Sequence, residues 1–166
     1  VTAFLGFLDA PTGRFVYVNA GHNPPLLRRA GGEVEMLREG GLILGILPGS
    51  TFESGSTTLA DGDVLVLYTD GVTEGADATG EQWGEERLIA TLSASHTGSA
   101  TAIGARIADE VRAFEGDTGP ADDLTVLVVK RLPHQVKSDP TYVDEMTWAA
   151  PGKPSVVLYA VHGGGH

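Results

Sequence analysis

The chain has 166 residues, of which 42% are hydrophobic and 20% are charged, and this composition suits one compact domain better than two. It contains no cysteine, which excludes a disulfide framework, a thiolate metal site and a cysteine nucleophile. The formal net charge of −11 disfavours nucleic acid and anionic lipid as partners, and no apolar run approaches the roughly 20 residues of a membrane helix, so we expect a cytoplasmic protein without membrane insertion.

The first half of the chain is predicted to form short strands joined by turns. Residues 2–8 and 14–19 are apolar and β-prone, and an acid, a proline and a glycine lie between them, which predicts an antiparallel hairpin. Residues 26–29 and 33–37 flank two glycines and predict a second hairpin. The glycine-rich apolar segment 40–50 is expected to pack its backbone close to another element.

The predicted strands continue as far as a conspicuous Asp-Gly pair. A further strand is predicted over residues 52–59, and the apolar run 64–68 predicts a buried strand that ends just before Asp70-Gly71. Because Val1 is not methionine and already lies in strand-like sequence, we expect the chain to be a fragment that begins inside a domain.

Helical patterns are predicted only after Gly84. Residues 85–92 carry acids in the first turn, and residues 100–114 follow a capping Ser99 with apolar side chains at spacings of 4, 4 and 3. A last strand over residues 124–130 comes directly after Asp122-Asp123. Strands that precede the helices, rather than alternating with them, predict an α+β fold with an antiparallel sheet.

The composition changes beyond residue 132. Prolines and scattered charges follow, with one possible strand over residues 155–161 and a glycine-rich end. We therefore predict a main domain over residues 1–132 and a C-terminal extension over residues 133–166, partly disordered and outside the main fold.

Two acidic strand ends are the strongest candidates for chemistry. Asp70 follows one predicted core strand and Asp122 precedes another, so antiparallel neighbours would place both carboxylates at one edge of the sheet. Mg²⁺ and Mn²⁺ prefer oxygen ligands of this kind. On pattern alone the simpler interpretation is structural, because Asp-Gly after a strand is a common turn and Asp122-Asp123 can cap a loop. A Ca²⁺-binding β module is a further alternative.

Five segments together carry a family resemblance. They are TAFLGFLDAPTGRFVYVNAGHNPPLLRR, LILGILPG, LADGDVLVLYTDGVTEG, WGEERL and DDLTVLVVK. In this order and spacing they resemble the C-terminal half of the PPM-type metal-dependent serine/threonine phosphatases, in the bacterial branch typified by sporulation stage II protein E and the sigma-factor-regulating phosphatases. The resemblance covers residues 1 to about 131.

The resemblance implies a fold and a mechanism. It implies an antiparallel β-sandwich flanked by helices, incomplete at its N-terminus, and a site in which two Mn²⁺ or Mg²⁺ ions activate the attacking water. Asp70 and Asp122 match metal-binding aspartates of the family, whereas Gly71 and Asp123 match supporting positions. None of these residues is a nucleophile, and the substrate-binding residues stay unassigned.

The resemblance also implies partners, and the sequence departs from the family's pattern at one segment. The expected substrate is a phosphorylated regulatory protein of the anti-anti-sigma-factor type, and a sensory domain is expected upstream in the parent protein. The family's Asp-x-x-Gly-His-Gly segment, which supplies further metal ligands, does not occur in these residues. An alternative function is therefore a catalytically inactive interaction module or fragment of the same fold.

Overall fold

A computed structural model describes residues 1–95, 97–119 and 122–133, together with the backbone of residues 142–149 and 156–162. The strands are β1 (Ala3–Asp9), β2 (Arg14–Ala20), β3 (Leu26–Arg28), β4 (Val34–Met36), β5 (Gly40–Gly41), β6 (Gly55–Thr58), β7 (Val64–Tyr68), β8 (Val126–Lys130), β9 (Tyr142–Ala149) and β10 (Val156–His162). The helices are α1 (Asp70–Thr73), α2 (Gly84–Ala94) and α3 (Ala100–Glu115), the last followed by a 3₁₀ turn over Gly116–Thr118.

The strands form two sheets, which confirms the predicted α+β class and both predicted hairpins. In the first sheet, β2 pairs with β1 on one side and with β5 and β6 on the other. The second sheet has the order β10-β9-β8-β7-β3-β4, with antiparallel pairs throughout. The β2–β5 pair is parallel, an exception to the antiparallel pairing predicted from the strand pattern. It brings the glycine-rich segment against β2, as its composition predicted.

A hydrophobic layer joins the inner faces of the two sheets. The strands of both sheets alternate in side-chain direction, so every second residue points into this layer. Tyr17 lies at its edge, where the hydroxyl donates a hydrogen bond to the carboxylate of Glu39. The buried members of the layer are Phe15, Tyr17, Leu27, Leu37, Leu59, Leu65 and Val129.

The buried Tyr17 hydroxyl predicts a loss of stability in alkali. Burial, and then the hydrogen bond and charge of Glu39, raise the pKa of Tyr17 well above its ordinary value of 10.0. Below pH 10 the hydroxyl is neutral in both states. Above it, the unfolded chain releases the proton first, so stability falls as the pH rises towards the folded pKa. The free-energy advantage of the native chain over Tyr17→Phe, measured by urea unfolding, should therefore shrink between pH 9 and 11. A constant difference would contradict this expectation.

Helices α2 and α3 cover the outer face of the second sheet. Their apolar side chains recur at helical spacing and pack on the valines of β7 and β8. Helix α3 begins where its cap was predicted, because the hydroxyl of Ser99 accepts a hydrogen bond from the Ala102 amide at 3.1 Å. Strands β3, β7 and β8 are thus packed on both faces, between the helices and the first sheet.

Two arginines tie the sheets together at one end of the sandwich. Arg29, after β3 in the second sheet, donates to the Thr58 carbonyl and to the Thr57 hydroxyl of the first sheet at 2.6 and 2.7 Å. Arg131, after β8, donates to the carbonyls of Ala10 and Pro11 in the β1–β2 turn at 3.3 and 3.4 Å. This end is opposite to the one at which β7 ends.

Two described segments beyond residue 133, strands β9 and β10, contribute backbone to the second sheet. Strand β9 pairs with β8, and β10 pairs with β9. The strand predicted over residues 155–161 corresponds to β10, apart from residue 155, which lies with residues 134–141, 150–154 and 163–166 outside the described part of the chain. Among the described residues, no helix is long and apolar enough to cross a membrane.

Candidate metal-binding site

Asp70 and Asp122 belong to segments that meet at one edge of the second sheet. Strands β7 and β8 are antiparallel neighbours, with Tyr68 opposite Val126. The chain that leaves β7 at Asp70 therefore lies beside the chain that enters β8 from Asp122. Both aspartates are exposed to solvent. The adjacency that the sequence predicted for these two strand ends is confirmed.

The two segments touch through their backbones at Gly71. A Cβ atom added to Gly71 would lie 2.8 Å from the carbonyl oxygen of Asp123, which is closer than real Cβ contacts occur. Only glycine therefore allows the turn after Asp70 to approach the Asp122–Asp123 segment this closely. Asp70 also starts the short helix α1, whereas the sequence predicted helix only after Gly84. That prediction was wrong because a four-residue helix is too short to show apolar periodicity.

Thr69 fastens the two segments together with hydrogen bonds. Its side-chain hydroxyl donates to the Asp123 carbonyl at 2.9 Å and accepts from the Thr125 amide at 3.0 Å, while its own amide donates to the Thr125 carbonyl at 3.1 Å. Sequence reasoning missed this role. The sequence shows only that a side chain able both to donate and to accept a hydrogen bond lies directly before the Asp-Gly pair.

Each aspartate accepts one backbone hydrogen bond at its own turn. The Gly71 amide donates to Asp70 Oδ1 at 3.1 Å, and the Asp123 amide donates to Asp122 Oδ1 at 2.7 Å. These bonds orient the carboxylates and leave oxygen lone pairs for another ligand. Asp123 is also exposed, and its contribution to the site is the carbonyl that meets Gly71 and Thr69.

The carboxylate oxygens at this edge suit a hard divalent cation, but they are too few to complete its coordination shell. Exposed carboxylate oxygens are what Mn²⁺ and Mg²⁺ prefer. Among the described residues, however, no group of three or more acidic, histidine or cysteine side chains is arranged to hold a metal ion. Asp70 and Asp122 can thus supply part of a metal shell and would need further ligands to complete it.

Tyr68, at the end of β7, lies beneath this edge. Its hydroxyl is buried and has no hydrogen-bond partner among the described residues. Burial raises the pKa of Tyr68 to about 12, and the negative charge of Glu85 on α2 adds to the rise, while the positive charge of Arg38 opposes it. The tyrosine is therefore a neutral core residue, with its ring packed in the layer between the sheet and the helices.

His22 is held in a loop near the first sheet. Its backbone amide donates to the Asn19 side-chain oxygen at 2.8 Å, and the Asn19 side-chain nitrogen donates to the His22 carbonyl at 2.9 Å. Asn19 is buried, so this pair of bonds fixes the loop to the end of β2. The contact of the imidazole is a longer one of 3.4 Å, between its Nδ1 and the hydroxyl of Thr2.

We expect Gly71→Ala to disturb the site, although the substitution adds only one methyl group. The new methyl group would overlap the Asp123 carbonyl and push the two segments apart, at a cost of about 1 to 3 kcal/mol in unfolding free energy. Gly104→Ala is the matched control. Gly104 is also a buried helical glycine, but its added Cβ would meet the Val128 side chain at an ordinary 3.5 Å, so alanine should be neutral or stabilising. Equal effects of the two substitutions in urea unfolding would contradict the contact.

Comparison with known proteins agrees with this architecture. The family model described as stage II sporulation protein E (SpoIIE) matches residues 1–132. The phosphatase domain of SpoIIE from Bacillus subtilis superposes with a TM-score of 0.64 at 22% identity, over 82% of this chain and 59% of that chain. The RsbU and RsbW domains of Rv1364c from Mycobacterium tuberculosis superpose with a TM-score of 0.62 at 28% identity, over 80% of this chain and 38% of that chain.

A curated relative, protein IcfG from Synechocystis sp., is 35% identical over 130 residues, which are 78% of this chain and 20% of IcfG. The fold is thus that of a PP2C-type phosphatase domain. More particularly, the chain belongs to the SpoIIE family. It spans about a fifth of IcfG and about three fifths of the solved Bacillus phosphatase domain.

Proposed function

We propose that this chain is part of a metal-dependent protein phosphatase that hydrolyses phosphoserine or phosphothreonine in a regulatory protein. The observation that carries the proposal is the contact between the Asp70-Gly71 turn and the Asp122-Asp123 segment, which holds two exposed aspartates at one sheet edge. Membership of the SpoIIE family supports the reaction class.

In this proposal Asp70 and Asp122 are metal ligands, and the residues around them are positioning residues. Two Mn²⁺ or Mg²⁺ ions, when bound, supply positive charge that neutralises the phosphoryl oxygens and favours deprotonation of the attacking water. Gly71 permits the close approach of the two segments, and Thr69 fixes their separation through its hydroxyl. Asp123 contributes its carbonyl to that clamp, and no side chain of the chain acts as a nucleophile.

The substrate and the setting are proposed from the relatives. One of the similar structures contains RsbU and RsbW domains in a single protein, and another is called the phosphatase domain of a cell fate determinant. We infer a phosphorylated regulatory protein of the anti-anti-sigma-factor type as substrate, and a sensory domain elsewhere in the parent protein. We also propose the cytoplasm as its location.

Metal removal tests the proposal. The complete phosphatase domain of the parent protein should release phosphate from a phosphoserine peptide when Mn²⁺ is supplied. Chelation with EDTA should abolish that release, and added Mn²⁺ or Mg²⁺ should restore it. Phosphate release that is equally fast in EDTA, or absent with every divalent cation, would contradict the assignment.

A second candidate is favoured by the incomplete ligand set. Because the described residues hold no group of three metal-binding side chains, the alternative proposal is a catalytically inactive interaction module of the same fold. Isothermal titration of the 166-residue chain with Mn²⁺ tests whether its own ligand set is incomplete. Weak binding is expected if ligands outside these residues complete the site, whereas tight binding of two ions by this chain alone would contradict a shared ligand set.

A further inference from the structure

The loop between β2 and β3 crosses from the first sheet to the second at the same end of the sandwich as Asp70. Strand β3 is the neighbour of β7 on the side away from β8, and Leu26 pairs with Val66. Continued by two residues, this register sets Pro24 opposite Tyr68, the last residue of β7. The residues before Pro24 therefore lie at the end of the sheet where β7 leads into Asp70.

The first sheet gives the same placement for this loop. Strand β2 begins after the β1–β2 turn, which Arg131 contacts, and it runs to Ala20 at the opposite end of the sheet. His22 follows Ala20 by two residues, just as Asp70 follows the end of β7 by two residues. The imidazole of His22 is thus carried at the end of the sandwich that also carries the candidate metal-binding aspartates.

The backbone around His22 is fixed without help from its side chain. The buried Asn19 side chain makes both hydrogen bonds to the His22 main chain. Gly21 has a φ of 73°, and a Cβ atom added there would lie 2.5 Å from Cγ1 of Ile43, so this position favours glycine. Residues 24–25 are prolines, whose rings restrict φ. The loop is therefore a rigid mount, and holding it does not require an imidazole.

The imidazole of His22 keeps a hydrogen-bond donor available. Its side chain is partly buried, and its 3.4 Å contact with the Thr2 hydroxyl is the hydrogen bond that the ring makes within the described residues. That contact involves Nδ1. If the hydroxyl donates to Nδ1, the neutral ring carries its proton on Nε2, which is then free to donate to a ligand.

A phosphate monoester would bring negative charge to an edge that is already acidic. Asp70, Asp122 and Asp123 are exposed there. The substrate therefore needs hydrogen-bond donors at this end in addition to bound cations. His22 is the one histidine whose side chain the structure describes, and the rigid loop presents it at this end.

Arg38 is the competing donor at this end of the second sheet. Its positive charge acts on Tyr68, which places it near the end of β7. Its guanidinium, however, donates to the sulfur of Met36 at 2.6 Å, and Met36 packs against the core beneath the helices. Arg38 therefore lies on the helical side of the sheet, whereas His22 lies on the connection between the two sheets.

We propose that His22 contacts the substrate, with its Nε2–H donating a hydrogen bond to a phosphoryl oxygen of phosphoserine or phosphothreonine. The inference rests on the proposed phosphatase function and assigns one of its substrate-binding residues. The bond orients the phosphoryl group for attack by water and adds a donor that the aspartates cannot supply. The imidazole forms no covalent bond and gives up no proton in this role.

His22→Ala in the complete phosphatase domain of the parent protein tests the contact. We expect kcat/KM with a phosphoserine peptide to fall about tenfold to a hundredfold, because a hydrogen bond to a charged group is lost. The loss with p-nitrophenyl phosphate should be equal, since the phosphoryl group is common to both substrates. The inhibition constant of inorganic phosphate should rise by a similar factor. His22→Gln keeps an N–H donor near the position of Nε2 and should restore most of each loss.

Asn19→Ala is the matched control for a role in holding the loop. It removes both side-chain hydrogen bonds to the His22 main chain, so it should lower the urea midpoint of unfolding. His22→Ala keeps those bonds and should unfold at the native midpoint. A fall in the midpoint of His22→Ala as large as that of Asn19→Ala would assign the histidine to the loop and overturn the proposal.

Four kinetic results would also overturn it. They are native kcat/KM in His22→Ala, a loss confined to the phosphoserine peptide, no recovery in His22→Gln, and full recovery of His22→Ala at high Mn²⁺. The second would place the imidazole at the leaving oxygen or the peptide, and the last would make it a metal ligand. An unaltered domain that is inactive with every divalent cation would overturn the proposed function as well, so the unaltered domain tells the two failures apart.

Discussion

Asp70→Asn should lower Mn²⁺-dependent phosphate release by the complete parent domain by roughly a hundredfold or more, because a metal ion contributes several kcal/mol to the stabilisation of transition-state charge. Asparagine keeps the shape of the side chain and an oxygen that can accept the Gly71 amide hydrogen bond. It removes the negative charge that a hard cation requires. The measurement is kcat/KM with a phosphoserine peptide over a range of Mn²⁺ concentrations.

This substitution should leave the fold almost unchanged. Asp70 is exposed, and such surface changes usually alter the unfolding free energy by no more than about 0.5 kcal/mol. The matched control is Asp109→Asn, the same chemical change at an exposed aspartate on α3 whose ion pair with Arg112 is a long 3.5 Å. Its activity should stay at the native level. Native activity in Asp70→Asn would exclude Asp70 as a metal ligand.

Asp63→Ala should be the most destabilising single substitution among the acidic side chains that the structure describes, at about 2 to 4 kcal/mol of unfolding free energy. The Asp63 side chain is buried and accepts three hydrogen bonds, from Arg29 Nη1 at 2.9 Å, the Ala30 amide at 2.8 Å and the Ala60 amide at 2.9 Å. Alanine removes all three. The arginine then keeps only Glu35 as an acidic partner among the described residues.

Asp61→Ala is the control for this prediction. Asp61 lies two residues earlier in the same turn and pairs with Arg131 at 3.2 Å, but its side chain is half exposed. A surface pair of this kind contributes about 0 to 1 kcal/mol. The unfolding free energies of both variants are compared by urea unfolding, analysed with a common dependence of free energy on urea concentration. A loss of less than about 1 kcal/mol in Asp63→Ala would show that Arg29 is held by its other contacts.

Local patterns predicted most of the elements because their causes are local. The turn between β1 and β2 and the Ser99 cap each depend on a few adjacent residues, and both occur where expected. The division of strands between two sheets depends on long-range pairing, and only the family resemblance supplied it. The parallel pairing of β5 with β2 is also a long-range contact. It could not be predicted from the sequence pattern, because a two-residue strand has no periodicity of its own.

The candidate site was predictable in part for a related reason. A carboxylate at each of two neighbouring strand ends is visible in the sequence, and strand pairing brings Asp70 and Asp122 to one edge. The contact of Gly71 with Asp123 and the clamp made by Thr69 join residues more than 50 positions apart. Such contacts depend on backbone separation in space, which no spacing rule within one segment encodes. The roles of Asp70 and Asp122 as metal ligands stay predictions.

The positions of Arg29 and Arg131 give the sandwich unequal stiffness along its length. Both join the two sheets at the end remote from Asp70, through carbonyl and hydroxyl groups of the first sheet. Shear between the sheets is therefore resisted most strongly at that end. The opposite end, where Asp70 and Asp122 lie, takes no part in these contacts. Ligand binding at the aspartate edge should consequently slow amide hydrogen exchange there more than at the arginine end.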